Sequence, residues 1–173
     1  MKRLSERLAA KPRHFQRHYL QRPDRLIRSE QFEKYCQCLS DYEFVEAKVQ
    51  HPEFGVQALI EDYDWLNDAE VTATLDPETV RALQLIQGAL RLSAHVLERD
   101  VTQLAGHLWG RLLPHDLPHV HRLLDTAKAT PISPRLRPIT ASLTPSGSAL
   151  LRTLSGHSDW VNGPATVKSG GSQ

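Results

Sequence analysis

Between residues 29 and 128, apolar residues recur at intervals of three and four, the spacing that gathers them on one side of a helix. The strongest such run is 77–98. Leu83, Ile86, Leu90, Ala94 and Leu97 form one stripe, and Leu85, Ala89, Leu92 and Val96 form a second. A helix apolar over so much of its circumference belongs at the centre of a bundle. Its start is marked by Asp76-Pro77, an N-cap residue followed by proline at the first helical position. Upstream, "EFGVQALIEDYDWL" places Val56, Leu59, Ile60 and Tyr63 on one face and acids on the other.

Other boundaries follow from local chemistry. Ser29 is placed to cap a helix over 29–39, with Phe32, Tyr35, Cys36 and Leu39 at helical spacing. Ser40 with Glu43, and Asp100 with Gln103, have the spacing of a capping box, so helices are predicted after residue 40 and over roughly 100–113. His51-Pro52 separates two helices, because the residue before proline is pushed out of helical geometry. Pro114 and Pro118 end one helix and start another, 118–128, with Val120, Leu123, Leu124 and Ala127 inward. The first 28 residues show no clear period; Pro12 and Pro23 bracket "RHFQRHYLQR", which has room for one short helix.

No alternating strand pattern occurs before residue 149. The expected fold is therefore all-α, a bundle of five to six short-to-medium helices in antiparallel hairpins, followed by an extended Pro/Ser/Thr-rich tail. The expected division is a basic segment 1–28, a helical domain 29–128, an extended linker 129–148 built on "TPISPRLRPITASLTPSGSA", and a terminal stub 149–173.

Composition changes this picture little: 40% hydrophobic and 24% charged residues are ordinary for a globular domain. No stretch approaches the roughly 20 apolar residues of a membrane span, and Met1-Lys2-Arg3 is not followed by a secretory apolar run, which points to the cytoplasm. Charge is more informative. The net +1 hides a gradient: residues 1–34 carry ten Lys/Arg against four Asp/Glu, whereas 41–70 carry nine acids against Lys48 alone. Opposite blocks in neighbouring helices are expected to face solvent or each other, although either could engage a protein partner of opposite sign. Nucleic-acid binding through the basic front is disfavoured, since only Phe15 and Tyr19 interleave it.

Chemistry is mostly missing from the sequence. It holds no phosphate loop, no dinucleotide fingerprint and no H-E-x-x-H. Cys36 and Cys38 sit two apart, on different sides of a helix, and read as buried small hydrophobes. His14 and His18 share a helix face without a further ligand, and His115, His119 and His121 read as surface residues around prolines. Glu61, Asp62 and Asp64 read as the wet face of their helix and not as paired catalytic carboxylates. Ser146 falls in the linker, and Trp65 and Trp109 read as core or rim residues. No catalytic residue, metal, cofactor or small-molecule substrate is indicated.

The stretch "LLRTLSGHSDWVNG", residues 150–163, resembles the start of a WD-repeat β-propeller, with Gly156, His157, Asp159 and Trp160 at the motif positions. Upstream, "LSDYEFVEAKV", "GVQALIEDYDWL", "LQLIQGALRLSAHVL" and "QLAGHLWGRLL" resemble, in that order, the helical domain of the apoptotic protease-activating factor family. In that family and its bacterial STAND relatives, the domain joins a nucleotide-binding module to a propeller. The resemblance implies packing roles only: Phe44, Val45, Leu59, Ile60, Tyr63 and Trp65 for the first helix pairs, Leu85, Ile86, Leu90, Leu92 and Leu97 for the spine, and Leu104, Leu108, Leu112 and Leu113 stacked on it, with Leu83 also expected in the core. Two departures accompany it. No nucleotide-binding module precedes residue 29, and after "VNG" the chain reads "PATVKSGGSQ", where Pro164 cannot donate in a strand ladder. The expectation is a helical scaffold or linker arm, non-enzymatic, from a chain that has lost its downstream sequence.

Overall fold

A computed structural model describes residues 3–129, 140 and 142–147. Among these residues the protein is all-helical. Ten α-helices follow in order: α1 (Leu4–Ala9), α2 (Arg13–Leu20), α3 (Arg22–Arg28), α4 (Phe32–Leu39), α5 (Tyr42–Gln50), α6 (Gly55–Asp62), α7 (Ala69–Thr74), α8 (Pro77–Leu97), α9 (Leu104–Leu112) and α10 (Pro118–Ala129). Single 3₁₀ turns occupy Asp64–Asn67 and Val101–Gln103. No helix among the described residues is long and apolar enough to cross a membrane.

The six helices foreseen between 29 and 128 are α4, α5, α6, α8, α9 and α10, and the short α7 is added to them. The bundle also begins before residue 29. Helices α1 and α2 pack on α5, and α3 packs on α4. Leu8, Leu20, Leu26 and Ile27 are their buried anchors, and the Tyr19 and Phe44 rings lie 6.2 Å apart. Each of these helices is eight residues or shorter and carries only one or two apolar anchors, too few to register as a period. Burial against α5 stabilises them where propensity alone does not.

Helix ends differ from the sequence reading in instructive ways. Ser29 does not cap α4; it ends α3, its Oγ donating to Arg25 O at 2.8 Å. The turn is a Schellman closure, with Gln31 N–H donating to Leu26 O (2.8 Å) and Glu30 N–H to Ile27 O (2.9 Å). Glu30 takes the left-handed position there, at φ 55°. Likewise Ser40 closes α4 by donating to Cys36 O (2.8 Å), while Asp41 caps α5 by accepting from Glu43 N–H (3.0 Å). Asp76 caps α8 through Thr79 N–H at 2.8 Å. Asp100 caps the 3₁₀ turn that leads into α9.

Helix α8 packs against α4, α6, α9 and α10. Its first stripe is inside, with Leu83, Ile86 and Leu90 fully buried. The most enclosed helix, however, is α5, which touches α1, α2, α4, α6 and α10. Seven of its nine residues are buried, from Tyr42 to Val49 with only Glu43 partly open. Two of those seven are Glu46 and Lys48, so α5 carries charge into the interior.

Candidate functional site

Most of the polar groups inside the bundle fall at three junctions between segments. At the first, Lys48 on α5 is 3% exposed and its Nζ lies 2.6 Å from Asp62 Oδ2 at the end of α6. The same ammonium donates to Leu20 O at 3.1 Å and sits 5.1 Å from the centre of the Phe54 ring. Tyr35 Oη donates to Asp62 O, and Tyr63 Oη to Leu39 O, each at 2.7 Å. Burial pushes the Asp62 carboxyl up to about 6 against the opposing pull of Lys48, with Asp24 and Glu61 adding to the rise. Asp62 therefore does not belong to the wet face expected of Glu61, Asp62 and Asp64. Glu61 and Asp64 are exposed, but Asp62 turns inward because the only base of the acidic stretch lies buried one helix away. Nearby, buried Glu46 faces Arg3 Nη1 at 3.7 Å, and Arg17 on α2 pairs with Glu53. The basic front and the acidic stretch thus meet each other.

The second junction joins α6 to α8. Gln87, buried on the spine helix, donates to Ile60 O (3.1 Å) and to Asp64 Oδ1 (2.7 Å), and Arg91 reaches the same oxygen at 2.7 Å.

The third junction lies where residues 142–147 rest on α8 and α9. Leu143 N–H donates to Gly110 O and Ser146 N–H to Arg111 O, both at 3.3 Å. The Arg111 guanidinium, 7% exposed, donates to Ser93 Oγ (2.9 Å), Leu92 O (3.3 Å) and Thr144 O (2.9 Å). His115 Nε2 lies 3.1 Å from Ser146 O, and Ser146 Oγ donates to Leu85 O. Two helix glycines make the room. A Cβ on Gly88 would stand 2.5 Å from Ser146 Oγ, and one on Gly110 would stand 3.0 Å from Leu143. Ser146 is 2% exposed. This part of the expected linker is a strap seated on the bundle, not a free connector.

A surface cavity of about 370 Å³ between α4, α8 and α10 is lined by Cys36, Asp76, Thr79, His119 and Arg122 among others. Cys36 is 2% exposed, and burial pushes its thiol up to about 12, so it is not held as a thiolate nucleophile. His119, lowered by burial, has its Nδ1 3.1 Å from Ser40 Oγ, which itself donates to Cys36 O. His119 is thus partly buried and bonded, not a free surface residue. The other expected surface histidines divide. His121 is exposed beside Asp116 at 2.7 Å, whereas His115 is partly buried against the strap; His14 and His18, the pair sharing a helix face, are exposed on α2, with His18 against Arg25. Among the described residues no three His, Cys, Asp or Glu side chains are grouped to hold a metal.

Phe44, Leu59, Ile60, Tyr63, Leu83, Ile86, Leu90, Leu97, Leu104 and Leu108 are all buried. Gly156, His157, Asp159 and Trp160 lie outside the described residues. Sequence reasoning missed Lys48, Glu46, Gln87, Arg111 and Ser146. For Lys48 the signal was present, since Phe44 and Val45 stand one turn before it on a helix with few outward positions. For Ser146 there was none, because its partner Leu85 O is 61 residues away. No family model, curated protein or solved structure matches this chain. The class that the fold and its junctions define is a helical bundle whose interior polar groups join helix to helix.

Proposed function

We propose that this chain is a non-enzymatic, cytoplasmic helical scaffold, similar to the arm between the nucleotide-binding module and the propeller of STAND signalling proteins. One observation carries the scaffold reading. Among the described residues, every buried side-chain nitrogen and oxygen has a hydrogen-bond partner, and Lys48, Gln87 and Arg111 each tie one helix to another segment. Buried polar groups so committed hold relative helix positions and leave none aimed at a substrate. An arm that transmits geometry between two modules needs that kind of rigidity. The resemblance of residues 29–163 supports the arm itself.

Limited proteolysis tests the scaffold: a resistant fragment spanning α4 to α10 is expected, and early cleavage within 77–113 would sink the reading. The DNA flanking the reading frame tests the arm. Nucleotide-binding sequence upstream and WD repeats downstream are the expected finding; flanks encoding neither would remove the STAND assignment while leaving the scaffold intact. The partner of such a scaffold is another protein. Recognition through charge blocks alone is less favoured, because Arg3–Glu46 and Arg17–Glu53 already set part of the basic block against the acidic one.

A further inference from the structure

The outer face of α2 is unlike the rest of the surface. From Arg7 to Pro23 the chain holds five Lys/Arg and two His and no acid. Within this run α2 is anchored from below: Leu20 is fully buried, Tyr19 packs on Phe44, and Gln16 donates to Lys11 O and meets His51. Its outward residues are Arg13, His14, Phe15, Arg17 and His18, all exposed. Phe15, at 45%, is the one large hydrophobic residue exposed among the described residues. Lys11 Nζ stands 5.9 Å from the centre of its ring. Arg17 is engaged by Glu53, whose carboxyl Arg13 also helps to lower, whereas among the described residues Lys11 and Arg13 form no ion pair within 4.0 Å and Arg25 meets His18. A firmly seated helix therefore presents an open aromatic ring with Lys11 over it, and Arg13 on α2 and Arg25 on α3 add positive charge that no ion pair within 4.0 Å closes among the described residues.

We propose that the surface shared by α2 and α3, centred on Phe15 with Lys11, Arg13 and Arg25, binds single-stranded nucleic acid. The ring offers a platform for one base, and the cations track the phosphates on either side. The exposed aromatic, not the charge, changes the balance against the sequence expectation: in the sequence Phe15 is one of two aromatics in a basic run, but in the fold Tyr19 is turned inward and Phe15 outward. An anionic membrane surface fits less well. A helix lying in a bilayer interface inserts its apolar face, and the apolar face of α2 is already committed to α5.

The test titrates the full chain into fluorescently labelled oligo(dT) and oligo(U) of about 12 nucleotides, within the size range that such surfaces cover. Binding at low ionic strength is expected to weaken with salt at a log–log slope of about −2, as three phosphate contacts on a single strand require. Phe15→Ala is expected to weaken binding roughly fivefold or more at unchanged slope, and Phe15→Tyr to restore it. Lys11→Gln with Arg13→Gln is expected to flatten the slope by about 1.4 units. These side chains are exposed, so unchanged thermal melts accompany each variant. Absence of binding at low salt overturns the proposal. So does equal binding of Phe15→Ala, or equally tight binding of polyglutamate, which would mark the face as a site for acidic protein segments.

Discussion

The ammonium of Lys48 lies 2.6 Å from the carboxylate of Asp62, with the two side chains 3% and 13% exposed. This pair joins α5 to α6 and, through Leu20 O, to the end of α2. Breaking it from one side strands a buried charge. Asp62→Leu or Lys48→Met alone is expected to cost about 3–5 kcal/mol, whereas the double replacement Lys48→Met with Asp62→Leu recovers most of that loss. Urea unfolding of the four proteins measures the coupling; additive single costs would show that the pair does not act as a unit.

Because burial raises the Asp62 carboxyl to about 6 in the folded state, the folded protein binds this proton more readily than the unfolded chain does. Stability from this group therefore rises as pH falls through 6 toward 4, by at most about 3 kcal/mol. Asp76, Asp100 and Glu53 have lowered values and act in the opposite sense. The clean quantity is the stability of wild type minus that of Asp62→Asn, which is expected to grow between pH 7 and pH 4.5. A carboxyl-carbon titration of Asp62 by NMR with a midpoint near 4 would contradict the assignment.

The strap makes two helix glycines unequal to a third. A Cβ on Gly106 meets nothing within 4 Å, so Gly106→Ala is expected to stabilise by roughly 0.5–1 kcal/mol through helix propensity. Gly88→Ala drives a Cβ against Ser146 Oγ and breaks the bond to Leu85 O, so that gain is lost in the full chain. It should reappear in a chain ending at residue 141. Equal effects of Gly88→Ala in the two backgrounds, read from thermal melts, would show that the strap does not press on α8.

Truncation separates the seated part of the tail from the remainder. A chain of residues 1–148 keeps the strap and is expected to melt with the full chain, because the hydrogen bonds that seat the described part of the tail on α8 and α9 come from Leu143, Thr144 and Ser146. Ending the chain at 141 removes Thr144 O, one of the three acceptors of the Arg111 guanidinium, together with buried Ser146. A cost of about 1–3 kcal/mol, or a fall of roughly 3–10 °C in Tm, is expected.

Replacing Leu90, fully buried mid-way along α8, by Asp is expected to cost several kcal/mol, since no partner for a carboxylate lies on that stripe. An unchanged melt by circular dichroism would contradict the packing of α8.

The sequence by itself determined the helical class and the spine. Leu83, Ile86, Leu90 and Leu97 repeat on a period that only a helix can bury on one side, and Asp76-Pro77 marks where that helix begins. These are local rules, satisfied within a turn or two of chain. Tertiary structure decided the rest. Whether Ser29 and Ser40 start a helix or end one depends on which neighbouring carbonyls the fold leaves open. Asp62 looks like Glu61 and Asp64 until Lys48 arrives from another helix, and Tyr19 and Phe15 look alike until α5 covers one of them. The strap depends on contacts as much as 61 residues apart in the chain. Such pairings have no period to betray them, because they are set by which surfaces meet after the helices have formed.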